Sequence, residues 1–138
     1  HTLPEWKTKP QELKDKYLNL LNTSKKITSN YGIKLSVDLP LTLDSTYLIQ
    51  LFKIVDKVNF MCYENVKSSY IERKVNPYTK LGIPVSISLR TEDFLTRKEM
   101  EDKAKELAKL LNISQVNFHD LARLIKMDTN SLEENEKH

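Results

Sequence analysis

The sequence predicts an α/β protein in which parallel strands alternate with helices, forming a partial TIM barrel, the C-terminal half with about four strands. Short apolar strands begin near positions 33, 58, 83 and 116, and segments with helical periodicity separate them. The chain has 138 residues, whereas a complete eight-stranded barrel typically needs about 250. Polar residues follow the strands, at the end of the sheet where this class of fold has its ligand sites.

The first half of the chain supplies a long helix, a strand and a second helix. Residues 10–30 place leucine, tyrosine and isoleucine at helical spacing. Residues 33–39 (IKLSVDL) alternate as a strand, and Pro40 stops it because proline has no amide hydrogen to donate to a continuing ladder. Asp44 or Ser45 is suited to cap the helix that follows.

The second half repeats this order of strand and helix. Residues 58–63 (VNFMCY) are an apolar run of strand length, and residues 83–89 (IPVSISL) are another. Between them, residues 68–81 carry a weaker helical pattern, in which Pro77 predicts a break. Because strand and helix alternate, these segments are typical of right-handed βαβ units.

The strongest helical pattern follows the third strand. Thr96 or Asp93 is suited to cap it, and Asn112 is suited to end it. A short strand is predicted next at residues 116–118, followed by a helical turn at residues 121–125.

The chain divides into a structured domain and a tail. We assign residues 1–126 to the partial barrel, and residues 127–138 to a polar C-terminal tail without periodicity. The chain begins at His1 without a methionine and reaches a helical pattern almost at once, which is typical of a cut or processed product.

Composition and charge argue against several classes of protein. The net charge is only +3, and basic residues are interspersed with acidic ones, so we expect no nucleic-acid partner. No apolar run approaches the roughly 18 residues of a membrane span, so no membrane is expected.

Gly32 and Gly82 both precede strands, so no phosphate-binding loop is predicted. We expect no cofactor and no metal, and Cys62 is expected to be a buried apolar residue. The sequence does not distinguish a secreted protein from a cytoplasmic one.

The strand ends select the candidate site. We assign catalytic roles to Tyr63, Glu64 and Asp38, because a phenol and carboxylates at strand ends can orient or protonate a substrate. Asp38 has an alternative role in ordering the loop after its strand, and the alternative for Tyr63 and Glu64 is a core tyrosine beside a solvated carboxylate. We assign substrate binding to the other polar or flexible residues there: Met61, Asn65, Arg90, His119 and Asp120.

Three of these substrate-binding residues have structural alternatives. Arg90 is more simply explained by an ion pair with Glu92 than by a substrate anion. His119 and Asp120 form a weak candidate for proton transfer, because Asp120 is equally suited to cap the last predicted helix.

One strand resembles a known motif. Residues 58–65 (VNFMCYEN), preceded by Asp56, resemble the D-x-hydrophobic-x-x-M-x-Y-D stretch on the sixth strand of chitinase-like glycosidases. The strand KLSVDLP is similar to the preceding strand of these barrels, and residues 116–119 fall where their last strand lies. Uncharacterised bacterial proteins with glycoside-hydrolase-like barrels show similar patterns, in agreement with Pro4-Glu5-Trp6 at the start of a helix.

The resemblance implies a sugar-binding cleft. Met61, Tyr63 and Glu64 would line it, with Tyr63 directed toward the reacting group, although Glu64 stands where the family has aspartate. The family's catalytic acid lies on the fourth strand, in a motif that this chain lacks. The resemblance therefore implies that the acid lies upstream of His1, and that the chain alone is inactive.

Two functions from different classes follow. The first is a carbohydrate-active, glycoside-hydrolase-like barrel fragment, and the alternative is a non-catalytic α/β binding or scaffold domain. An incomplete barrel would expose two strand edges and an apolar interior, so we expect self-association or association with the missing barrel half.

Overall fold

The computed structural model describes residues 10–119, in which helices and parallel strands alternate as the sequence predicts. In chain order the elements are α1 (Pro10–Asn30), β1 (Ser36–Pro40), α2 (Ser45–Phe52), β2 (Lys57–Cys62), α3 (Ser68–Val75), a 3-10 turn (Asn76–Tyr78), β3 (Val85–Arg90), a second 3-10 turn (Thr91–Asp93), α4 (Arg97–Leu111) and β4 (Val116–His119).

The four strands form one sheet in the order β1-β2-β3-β4, and every neighbouring pair is parallel. The α/β class and the parallel pairing are therefore confirmed. In the described region the sheet is open: β1 pairs only with β2, and β4 pairs only with β3.

Most helix boundaries follow the predicted capping residues. The side chain of Asp44 accepts a hydrogen bond from the Tyr47 amide at 2.9 Å, so Asp44 rather than Ser45 caps α2. Thr96 caps α4 by accepting from the Glu99 amide at 3.2 Å. Asn112 ends α4 in the left-handed conformation, with φ 52°.

Two boundaries differ from the sequence prediction. The first strand begins at Ser36 rather than at residue 33, because the chain is still leaving the turn after α1. The predicted helix over residues 68–81 ends at Val75, and Pro77 lies within the 3-10 turn that follows. The predicted break is thus confirmed. The tail and the predicted turn at residues 121–125 lie outside the described residues.

One face of the sheet packs against the helices. Strand residues that point to this face alternate with those that point away, and they are buried: Val37, Leu39, Val58, Phe60, Cys62, Ile87 and Leu89. They form one core with buried residues of the helices and connections, among them Leu51, Ile71, Met100 and Leu107. Phe52 stacks on Tyr78, with ring centroids 5.3 Å apart.

The other face of the sheet is polar. Its side chains, taken from the alternate strand positions, include Ser36, Asp38, Asn59, Ser86, Ser88 and Asn117. The expected partial barrel would expose an apolar interior, whereas this face of the described sheet carries serine, asparagine and aspartate side chains.

Candidate functional site

Asn59 holds the polar face together. Its amide nitrogen donates to Asp38 on one neighbouring strand at 3.0 Å, and to Ser88 on the other at 2.8 Å. Its amide oxygen accepts from the Ser86 hydroxyl at 2.8 Å and from the Asn117 amide at 3.2 Å. One buried side chain therefore links all four strands through hydrogen bonds, which offsets the cost of burying it.

Above this network, at the C-terminal ends of the strands, lies a cluster of three predicted site residues. The Tyr63 hydroxyl is hydrogen-bonded to Nδ1 of His119, which belongs to β4. The Arg90 guanidinium lies over the Tyr63 ring, 5.3 Å from its centroid. The sheet thus brings together residues from the ends of β2, β3 and β4.

Asp93 fixes the geometry of this cluster. One of its carboxylate oxygens accepts from Nη2 of Arg90 at 3.0 Å, and the other accepts from the Glu64 backbone amide at 2.9 Å. The side chain of Asp93 is only 9% exposed, so this charge-assisted contact is well shielded from water. Glu64 itself has a φ of 70°, in the left-handed region. Asp93 therefore secures a strained turn after β2 as well as the Arg90 side chain.

A cavity opens beside Tyr63, at the ends of β1 and β2. Its volume is about 480 Å³, which is within the range of small-molecule sites. It is lined by Pro40, Leu41, Thr42, Met61, Tyr63, Glu64, Asn65 and Tyr70. We refer to this space as the strand-end cavity.

Burial and nearby charges set the protonation of these groups. Burial raises the pKa of Tyr63, the charge of Asp38 raises it further, and the Arg90 guanidinium acts in the opposite direction. The hydrogen bond to Asp93 raises the pKa of Arg90. Tyr63 is therefore a neutral hydroxyl near neutral pH, suited to donate or accept hydrogen bonds, and Arg90 is a permanent cation.

The predicted site residues are placed as follows. Met61, Tyr63, Glu64 and Asn65 line the strand-end cavity. Asp38 lies on the polar face of the sheet, where it accepts from Asn59.

The structure also bears on the structural roles predicted for Arg90 and Cys62. The expected Arg90–Glu92 ion pair is present, at 3.8 Å between Nε and the carboxylate, but Asp93 is the nearer partner. Cys62 is fully buried, as expected, and burial raises its thiol pKa to about 12. Asp120 lies outside the described residues.

Two important residues were missed or misassigned. The sequence pattern puts Asn59 in an apolar strand, and it offers Asp93 only as a cap for α4. The signal for Asn59 was present in the sequence: polar residues recur at every second position in SVDL and VSIS, which is the period of a second, polar sheet face, and Asn59 is the one polar residue of VNFM. The role of Asp93 depends on the approach of two loops, which no sequence period encodes.

Among residues 10–119, no three His, Cys, Asp or Glu side chains are arranged to hold a metal ion. Within the same residues, no helix has the length and apolar character needed to cross a membrane. Comparison with models of known protein families, with curated proteins and with solved structures finds no significant match to this chain.

Proposed function

We propose that this protein is a glycoside-hydrolase-like β/α protein that binds carbohydrate at the C-terminal ends of its strands. The observation that carries the proposal is the composition of the strand-end cavity. The rings of Tyr63 and Tyr70 and the side chain of Met61 offer flat or flexible apolar surface, and Glu64 and Asn65 offer polar atoms. A sugar ring presents the matching combination of apolar C–H faces and hydroxyl groups.

The strand order supports placing these four β/α units in a barrel. Strands that follow one another in sequence are neighbours in the sheet, and right-handed crossovers then put the three connecting helices, α2, α3 and α4, on the same face. A doubly wound sheet would instead reverse its strand order and carry helices on both faces. The polar face would become the barrel interior, and the free edges of β1 and β4 would meet the remaining strands.

Hydrolysis at this site would require two functional groups on either side of the glycosidic bond. Glu64 and Asp38 are the predicted carboxylates of this chain, and the Tyr63 hydroxyl, which contacts His119 in the structure, would turn to hydrogen-bond the reacting group. Asp93 is already committed to Arg90 and to the Glu64 amide. We propose that the proton donor comes from an acidic residue upstream of His1, as the resemblance to chitinase-like glycosidases implies.

Binding of an oligosaccharide panel tests the first part of this proposal. We expect N-acetylglucosamine and glucose oligomers to include a ligand with a dissociation constant below about 1 mM, corresponding to about 4 kcal/mol. Tyr63→Ala and Tyr70→Ala should each weaken its binding about tenfold, because each removes a ring from the cavity wall. Isothermal titration calorimetry gives the comparison.

Tyr31→Ala is the matched control for these variants. Tyr31 is 75% exposed beyond the end of α1, and it does not line the strand-end cavity. Its replacement should leave sugar affinity unchanged. Failure of every oligosaccharide to bind, or equal losses in all three variants, would remove the basis for the proposal.

The hydrogen-bonded side chains of the polar face favour a second candidate, a non-catalytic α/β binding or scaffold domain. Asn59 forms hydrogen bonds with the polar side chains of the neighbouring strands, and no further strand is needed for these bonds. The polar face therefore leaves no large apolar surface that a barrel would have to cover. Turnover separates the two candidates: a product extended upstream to include the acidic strand should hydrolyse a bound oligosaccharide if the first is correct.

Self-association, or association with the other half of a barrel, is part of the first candidate. The outer edges of β1 and β4 carry backbone groups that no strand among residues 10–119 pairs. Sedimentation analysis of the chain should show a concentration-dependent dimer, and a monomer at all concentrations would favour the scaffold candidate.

A further inference from the structure

A second cavity lies next to the strand-end cavity, with which it shares Leu41 and Thr42, between α2 and α3. Its volume is about 600 Å³, also within the range of small-molecule sites. We call it the interhelix groove. It is lined by Leu41, Thr42, Leu43, Asp44, Ser45, Leu48, Phe60, Arg73, Lys74, Pro77 and Tyr78.

The floor of the interhelix groove is apolar. Leu48, Phe60 and Tyr78 are at least nine-tenths buried, and each contributes to the wall of the groove. Phe60 and Tyr78 also pack on each other, with ring centroids 5.8 Å apart. These three side chains are packed in the core, and the apolar surface that a ligand can reach is supplied mainly by the more exposed Leu43 and Pro77.

The charge at the border of the groove is positive. Arg73 and Lys74 lie in the last turn of α3, and within residues 10–119 neither has a carboxylate partner. Arg73 lies over the Tyr70 ring, 5.6 Å from its centroid. The partial charge at a helix C-terminus is about half an elementary charge, so two side-chain cations leave a net positive border.

The acidic residue of the groove does not cancel this charge. Asp44 is the only carboxylate among the described lining residues. It accepts from Nζ of Lys14 at 2.6 Å, outside the groove lining, and from the Tyr47 amide at 2.9 Å. Because Lys14 already neutralises Asp44, Arg73 and Lys74 remain available to an anion.

We propose that the interhelix groove binds a small amphipathic anion: a monocarboxylate whose apolar chain or ring packs along Leu43 and Pro77 while its carboxylate faces Arg73 and Lys74. The apolar lining selects the body of the ligand and the two cations select its head. The residues that would contact this ligand do not line the strand-end cavity, so the proposal does not rest on carbohydrate binding.

Titration of the full chain with octanoate, followed by amide chemical shifts, tests the proposal, with octanamide as the neutral probe of equal chain length. We expect saturable shifts around the groove with octanoate, and binding of octanamide weaker by about tenfold, since a charge-assisted contact is lost. Lys74→Gln should raise the dissociation constant of octanoate about fivefold. Lys105→Gln is the matched control, because Lys105 is exposed on α4 and does not line the groove.

Three outcomes would overturn the proposal. Equal affinity for octanoate and octanamide would show that the cations do not take part. Equal effects of Lys74→Gln and Lys105→Gln would reduce the interaction to net charge. Absence of saturable shifts around the groove would leave this surface to solvent or to a protein partner.

Discussion

The two faces of the sheet are made from the same strands but are stabilised in different ways. The helix-covered face buries branched and aromatic side chains such as Ile87 and Phe60 in one continuous core. The polar face carries Asn59 and its four side-chain partners, and there the stabilising contacts are hydrogen bonds. Apolar packing tolerates small shifts, whereas a buried amide must keep its partners within hydrogen-bond distance. The polar face therefore fixes the register of the strands, and with it the positions of the residues at their ends.

Truncation in the apolar core tests this comparison with the largest expected effect. Ile87 is fully buried on the helix-covered face of β3. We expect Ile87→Ala to lower the free energy of unfolding by about 3 kcal/mol, through lost apolar burial and the cavity left behind. Urea denaturation measures the change. A loss below about 1 kcal/mol would show that this face is loosely packed.

Removal of the central amide comes next in size. Asn59→Ala should cost about 2 kcal/mol of unfolding free energy, because it leaves several buried polar partners unsatisfied. The matched control is Asn117→Ala, which removes a less buried partner at the edge of the network and should cost less than half as much. If the two variants were equally stable, the network would not be centred on Asn59.

Asp93 connects the polar face to the site. Asp93→Ala should cost about 1.5 kcal/mol, since the Arg90 guanidinium and the Glu64 amide both lose an acceptor. Glu92→Ala is the control: its carboxylate is 59% exposed and 3.8 Å from Arg90, so little change is expected. Thermal unfolding of both variants checks the difference. Equal melting temperatures would contradict the proposed role of Asp93.

The turn after β2 should respond in the opposite direction. Glu64 has a φ of 70°, which asparagine and glycine adopt more readily than glutamate. Glu64→Asn should therefore raise the free energy of unfolding by about 0.5 kcal/mol. Glu64→Gln keeps the strain and removes the charge, so it should give no such gain. A stabilisation of the same size in both variants would assign the effect to charge.

The smallest effect is a pH dependence at the opposite end of the sheet. The hydrogen bond from the Leu35 amide, at 2.8 Å, and the contact with Lys25 lower the pKa of Asp56 below its ordinary value. Its contribution to stability is therefore present above about pH 4 and is lost as the pH falls through the lowered pKa. Urea midpoints of the wild type and Asp56→Asn should converge on acidification. A constant difference between them would contradict the assignment.

The sequence predicted the periodic features of this protein and missed those that depend on contact between distant segments. The alternation of helices and strands, the caps at Asp44 and Thr96, and the burial of Cys62 follow from local pattern and were confirmed. The sequence rule that sites lie at strand ends also selected Tyr63 and Arg90, which the structure brings together.

The missed features have physical reasons. The prediction of an incomplete barrel with an exposed apolar interior overlooks Asn59 in β2 and the alternate serines of β3, which share one polar face. The contact of Asp93 with the Glu64 amide forms only when the loops after β2 and β3 approach each other.

The central claim is that the C-terminal ends of the strands are the binding end of the molecule. The most direct measurement is a map of amide chemical-shift changes in the full chain during titration with the best-binding oligosaccharide. We predict saturable chemical-shift changes at Met61, Tyr63, Asn65 and Tyr70, and none at Ile83 beyond the opposite end of the sheet. Changes confined to the opposite end, or spread without saturation over the whole surface, would contradict it.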